Sequence, residues 1–432
     1  MKRVLKGGDI LMWENDAFSC LKNGYLGIDG DRIDYLGAEP PRKGYDEVKD
    51  MAGKLLLPGL VNGHTHTGMS LLRGLGSDLP LQQWLFDTIF PVEDRLTDED
   101  LRLGMELSML EMIASGTTAF TDMYMGAAYC APAILASGMK ANLCRPLQSF
   151  DPEEDPMTCR RMREMLALYD EWNGAGDGRI LVDFSIHAEY TCTEKMVRAA
   201  AEEARKRGAG MHIHLSETKA EQDNCVEKYG MTPAQWFDRL GAFGGRAYAA
   251  HCVWLTGSDR ALLQERGVVV VHCPESNLKL GSGVADVPTM VREGLTVALG
   301  TDGAASNNNL NMLEEMHLCA LLHKGVHRDP TLLPLGEVLQ MATVNGAKLQ
   351  GRGDTGALAV GQKADIIAVD MDRPHLTPCI DPLSNLLFSA QAADVCLTMA
   401  DGKILYENGA FLTLDRDRIL HEARRAAARL LG

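Results

Sequence analysis

The sequence predicts an α/β protein: a closed (β/α)8, TIM-like barrel carrying a small β-sandwich domain assembled from both chain termini. Three observations lead there. Short apolar, β-branched-rich runs alternate with helix-like stretches through the middle of the chain. Hairpin patterns occupy both ends. Polar residues sit at the C-terminal ends of successive middle strands.

The middle runs fall at residues 55–62, 117–122, 141–147, 180–187, 210–215, 246–251, 268–272 and 295–302. Helical patterns lie between them, as at 98–114, 193–207 and 258–265. Strands alternating with helices imply a parallel sheet, and eight such units close into a barrel. At the ends, strand-sized runs at 4–13, 24–28 and 32–36 are answered by 364–369, 394–399 and 403–406, with Gly30-Asp31 and Asp401-Gly402 as turns. Neither set alone can bury a core. Both are therefore expected to meet in one domain, residues 1–57 with 360–432, including a C-terminal helix over 415–431. The catalytic barrel then spans 58–359.

With 432 residues and 46% hydrophobic content, the chain can build a large core. A net charge of −16 repels nucleic acid and anionic membranes as partners. The first twenty residues alternate like a strand, unlike a signal peptide. No stretch approaches the ~20 apolar residues of a membrane span. The 11 cysteines form no CxxC pair, and this usage suits a reduced, cytoplasmic setting. A homo-oligomer is compatible with all of this.

At or just past strand ends come His64 and His66, Asp122, Arg145, His187, His214, His251, His272 and Asp302. Side chains two apart on a strand share a face, so His64 and His66 point together into the barrel mouth and can share one metal. An HxH pair alone is weak, but this one has company. In His212-Ile-His214-Leu-Ser-Glu217, His214 suits a ligand and Glu217 a carboxylate free to carry protons. His212 lies deeper, in the core or behind the ligands. Asp302 either caps the next turn or completes a set of three imidazoles and one carboxylate.

This pattern, with His251 ending strand six, resembles the mononuclear-zinc subgroup of the amidohydrolase superfamily over essentially the whole chain. Binuclear relatives carry a carboxylated lysine on strand four, and residues 180–187 contain no lysine. Finer stretches resemble the 5′-methylthioadenosine/S-adenosylhomocysteine deaminases: Ser70-Leu-Leu-Arg73-Gly, Asp78-Leu-Pro-Leu-Gln-Gln-Trp84, Pro91-Val-Glu93-Asp94-Arg95, Ser276-Asn-Leu-Lys-Leu280-Gly and Thr301-Asp302-Gly-Ala-Ala-Ser306-Asn. Trp254 and Cys273 depart from it, where His and Asn are common.

The resemblance implies zinc-dependent deamination of an adenosine-type nucleoside to the inosine analogue and ammonia. One Zn2+ per chain would be held by His64, His66, His214 and Asp302, with Fe2+ or Mn2+ as alternatives. Glu217 would move protons, Asp302 would accept one from water, and His251 would hold the attacking oxygen. Glu93 would bind the ribose diol, His187 would sit near the ribose and tail, and Ser306 near the purine edge. Arg145 would pair with an amino-acid carboxylate, or else form a surface ion pair. Arg161 would join it, with Arg160 as the alternative. Trp84 would stack on the base or be an ordinary core tryptophan. Rival readings are a guanine or triazine aminohydrolase of the same superfamily, and a binding protein that has lost catalysis. The Gly351–Gly356 stretch fits GxGxxG, but it follows a helix and precedes a strand, opposite to the dinucleotide-binding context.

Overall fold

The computed structural model describes residues 1–42 and 44–432. Its barrel strands are Leu60–Thr65, Thr117–Met123, Lys140–Cys144, a split fourth strand of Ile180–Val182 and Phe184–Ile186, Met211–Leu215, Ala247–His251, Val269–His272 and Val297–Leu299. Neighbours pair in parallel, and the split strand joins the two halves of the wall. Ile180–Val182 pairs with the third strand, whereas Phe184–Ile186 pairs with Pro146–Leu147 and the fifth.

Closure between the eighth and first strands draws on a backbone bond and on side chains of the first strand. The Asp302 amide donates to the His64 carbonyl at 3.0 Å. Asn62 donates to Thr301 Oγ1 at 2.7 Å and accepts from the Thr301 amide at 3.1 Å. Two glycines allow this approach. A Cβ on Gly63 would lie 2.9 Å from the Leu299 carbonyl, and one on Gly300 2.7 Å from the His64 amide.

The apolar run at 55–62 is read from sequence as one strand, but the fold divides it. Lys54–Pro58 joins the terminal sheet and Leu60–Thr65 the barrel. Gly59 is the switch: its amide donates to Asp365 of the sheet, whereas the Leu60 amide donates to Gly116 beside the second barrel strand. Strand alternation then serves two cores. Leu56, Ile366 and Ala368 bury in a small cluster with Leu5, Ile10, Leu26 and Leu397. Leu55, Leu57, Ile367 and Val369 bury in the large cluster with the barrel helices. The hydrogen-bonded sheet itself takes strands from both ends of the chain, Lys54–Pro58 lying between Lys2–Glu14 and Ile366–Asp370.

Expected helices 98–114, 193–207 and 258–265 are observed as Asp98–Ala114, Glu194–Arg207 and Gly257–Arg266, each begun by a threonine cap. The C-terminal helix, Arg416–Leu431, is grouped with the terminal domain in the sequence reading. Its Arg418 and Arg429 pair with Glu106 and Asp100 of the barrel helix Asp98–Ala114. Its amphipathic pattern specifies that one face is buried, not which neighbour covers it.

A buried ion cluster ties sheet to barrel. Lys140, at the start of the third barrel strand, lies 2.5 Å from Asp365 and 2.7 Å from Asp401, with all three side chains under 10% exposed. Removing the ammonium leaves two carboxylates in the interior. Lys140→Ala should therefore lose about 3–5 kcal/mol of unfolding free energy. A denaturant titration that moves stability by less than about 1 kcal/mol would contradict this assignment.

Candidate active site

The strand ends at the barrel mouth bring four imidazoles and a carboxylate together. His66 donates from Nδ1 to the Met123 carbonyl at 2.6 Å, and His214 from Nδ1 to the His187 carbonyl at 2.8 Å. Each bond fixes a ring and turns its Nε2 inward, so that the two Nε2 atoms lie 3.3 Å apart. Asp302 Oδ1 lies 3.1 Å from His66 Nε2 and 3.4 Å from His64 Nε2. His64 Nδ1 is 3.0 Å from His212 Nε2, so His212 stands behind His64. His64 Nε2 is fully buried without a hydrogen-bond partner, and the donor atoms of His64, His66 and His214 all lie within 4.8 Å of one another.

Electrostatics agree with a cation here. Burial holds the His64 ring neutral, its pKa near 3, and burial likewise pushes His214 well below the usual range. Burial also opposes charge on His66, yet the adjoining Asp302 carboxylate raises it to about 9. Asp302 itself is held well below the carboxylate range, because the His64 and His66 contacts outweigh the cost of burial. An ionised carboxylate beside the neutral His64 and His214, with His66 holding a proton that a cation would displace, is a donor set for zinc or a similar divalent ion.

Around this set, Glu217 is buried, which raises its pKa, and it accepts from Ser282 Oγ at 3.1 Å. Its Oε2 lies 3.7 Å from His251 Nε2, and His251 donates from Nδ1 to Asn277 Oδ1 at 2.9 Å. The loop bearing Glu217 is pinned by Glu221, whose carboxylate accepts from the amides of Ser216 and Glu217 at 2.8 Å each. Backbone strain gathers at the same positions. Ser216, His251 and Asp302 have φ of 48°, 71° and 60°, a region rarely entered by residues other than glycine and enriched at functional sites.

A cavity of about 340 Å³ opens over these groups. It is lined by every residue proposed from sequence except the deeper His64, including Trp84, Glu93, Arg145, Arg161, His187 and Ser306. Their detailed partners refine the expectations. Glu93 is buried, which raises its pKa, and it accepts from the Tyr124 hydroxyl. Trp84 donates to the Leu75 carbonyl at 3.2 Å. Ser306, expected at the purine edge, donates to Asp302 Oδ2 at 2.7 Å, as does Ser276. Arg145 is buried, unlike a surface ion pair, and pairs with Glu164 at 2.8 Å. Arg161 keeps a buried Nε without a partner, while Arg160 is 76% exposed and also faces Glu164.

Sequence reasoning gave no role to Asn277, Ser276, Ser282, Tyr124 or Glu221. For Glu221 a signal existed, because Thr218-x-x-Glu221 is a capping box opening helix Lys219–Tyr229. Ser276 and Asn277 lie in the Ser276-Asn-Leu-Lys-Leu280-Gly stretch that carries the resemblance, whereas Tyr124 and Ser282 act across loops remote in sequence and leave no local pattern.

The sequence profile of the amidohydrolase family matches residues 55–405. The 5-methylthioadenosine/S-adenosylhomocysteine deaminase of Acetivibrio thermocellus is 44% identical over 437 aligned residues, covering all of both chains. The 5′-deoxyadenosine deaminase of Methanosarcina acetivorans is 45% identical, covering 99% of this chain and 98% of its own. In three dimensions, a zinc-bound adenosine deaminase from Xanthomonas campestris superposes with a TM-score of 0.94 at 31% identity, covering 99% and 98% of the two chains. A fold held over nearly every residue, carrying this cluster at the mouth, leaves one assignment: the chain belongs to the amidohydrolase family and, within it, to the lineage of the 5-methylthioadenosine/S-adenosylhomocysteine deaminases.

Proposed function

We propose that this protein is a hydrolase of C–N bonds that deaminates adenosine-type nucleosides, namely S-adenosylhomocysteine, 5′-methylthioadenosine and adenosine, to their inosine analogues and ammonia. The observation that carries the reading is Glu217. It is a buried carboxyl raised in pKa, facing the cavity beside the imidazole–carboxylate cluster without belonging to it. Full-length relatives named for this chemistry support it. Residues 58–359 form the catalytic unit in this reading, and residues 1–57 with 360–432 brace it. Eleven free cysteines fit a cytoplasmic setting.

His64, His66, His214 and Asp302 would hold one zinc ion per chain. Bound there, zinc would supply the Lewis acidity that lets water lose a proton near neutral pH. Protonated Glu217 gives its proton to the purine N1 as water adds at C6, and Asp302 takes the proton that water sheds. His251, with its Nδ1 proton committed to Asn277, uses its bare Nε2 to accept a hydrogen bond from that water. Glu217 then takes the hydroxyl proton of the C6 adduct and passes it to the departing amine. The proton on Asp302 returns to Glu217, closing the cycle. Glu93 accepts from the ribose hydroxyls, Trp84 and His187 enclose base and sugar, and Ser306 keeps Asp302 oriented.

Ammonia release from a panel of adenine nucleosides, with guanine and a triazine as controls, tests the reading. Turnover should be confined to the nucleosides; deamination of guanine alone would refute it. Arg161→Ala should raise KM about tenfold or more for S-adenosylhomocysteine, by loss of a charged contact to its carboxylate. Adenosine, which has no such group, should keep its KM within about twofold. Equal effects on both substrates would remove Arg161 from the tail site.

A further inference from the structure

Behind the barrel wall lies a second cluster of metal-ligating groups that the deamination chemistry does not use. His272 ends the seventh barrel strand, and its ring faces outward onto His323 of helix Met312–His327, with ring centroids 5.4 Å apart. Cys319, four residues before His323, falls on the same helix face. One donor atom from each of the three lies within 4.8 Å of the other two. Strand alternation separates this cluster from the barrel interior, where Val271 and Cys273 pack with Tyr248 and Leu349.

The decisive feature is what these groups lack. His272 and His323 are 1% and 0% exposed, and none of their four ring nitrogens has a hydrogen-bond partner. A buried polar group left unpaired is costly, so two bare imidazoles side by side ask for an occupant.

We propose that His272, Cys319 and His323 form a buried three-coordinate site for a soft, thiophilic cation of the Cu+ type. Two imidazoles and one thiol, with no carboxylate in the set, suit a soft ion. A monovalent cation with a thiolate is neutral as a pair, which an apolar interior tolerates; a divalent ion would leave net charge there and seek a fourth donor. Metal–donor bonds of ~2.0–2.3 Å require donor atoms within roughly 4 Å of one another, so binding draws the three side chains inward by under about an ångström. Binding forms the S–Cu bond and breaks the S–H bond, releasing one proton to solvent. No redox change occurs. The site would brace helix Met312–His327 against the wall that carries Asp302.

The test uses full-length protein made in copper-supplemented cells, purified under reducing, anaerobic conditions with the first centre holding zinc. Wild type should retain about one Cu+ per chain by elemental mass spectrometry, with sulfur and imidazole neighbours in its X-ray absorption spectrum. Cys319→Ala should lose at least tenfold of that copper, while its zinc content and deaminase kcat stay within twofold. His323→Phe, which keeps a ring in the core, provides a second variant should the first fold poorly. Copper absent from wild type, equal copper in wild type and either folded variant, or a spectrum without sulfur would each overturn the proposal.

Discussion

Glu217→Gln should lower kcat for ammonia release by about 10³-fold while the protein keeps its metal and its affinity for nucleoside. The amide is nearly isosteric with the carboxyl, so packing and the Ser282 contact can persist. What it cannot do is lose and regain a proton at N1 and at the amine. Burial is what fits the native group for this task, because it raises the pKa and keeps a proton available near the purine ring. The position is also rigid: Glu221 holds the Glu217 amide, and Ser216 just before it sits at positive φ. Metal analysis and inosine-product binding on the same preparation separate chemistry from binding. A variant with kcat within tenfold of wild type would remove Glu217 as the proton carrier.

The second large effect is expected at Asp302. Asp302→Asn removes the negative charge that faces His64 and His66 and the base that takes the water's proton. Metal content after dialysis against a chelator should fall well below one ion per chain, and kcat/KM by about 10³-fold or more. Ser306→Ala, which removes only a hydroxyl donating to Asp302 Oδ2, should cost about 10–100-fold. That ordering distinguishes a ligand from the residue that orients it. If Ser306→Ala equalled Asp302→Asn, the hydroxyl would have a more direct role, nearer the purine-edge position expected from sequence. If Asp302→Asn retained metal and rate, the proposed ligand set would be wrong.

Local rules make much of this protein legible in the order of its residues. The two-residue period of a strand pairs His64 with His66, and threonine caps announce helices such as Asp98–Ala114. Gly30-Asp31 and Asp401-Gly402 announce turns, and strand–helix alternation announces the barrel. Each signal lies within a few residues, where backbone geometry alone ties sequence to shape. Loops and ion pairs are less legible. The break at Gly59 depends on two carbonyls, from Asp365 and Gly116, that no local pattern around residue 59 reveals. The neighbour chosen by the C-terminal helix depends likewise on Asp100 and Glu106.

The active site divides along the same line. The amino-acid sequence by itself determined the kinds of donor present and which of them share a strand face: His64 with His66, and His214 with His212. Tertiary structure alone decided that Asn277 and Ser282 position His251 and Glu217, and that Ser306 serves Asp302. It also decided that Arg161 keeps an unpaired nitrogen while Arg145 is tied to Glu164, and that His272 meets Cys319 and His323. The reason is physical. Strand and helix periodicity is a short-range property of the backbone, whereas these contacts join residues brought together only when the barrel closes and excludes water from its walls.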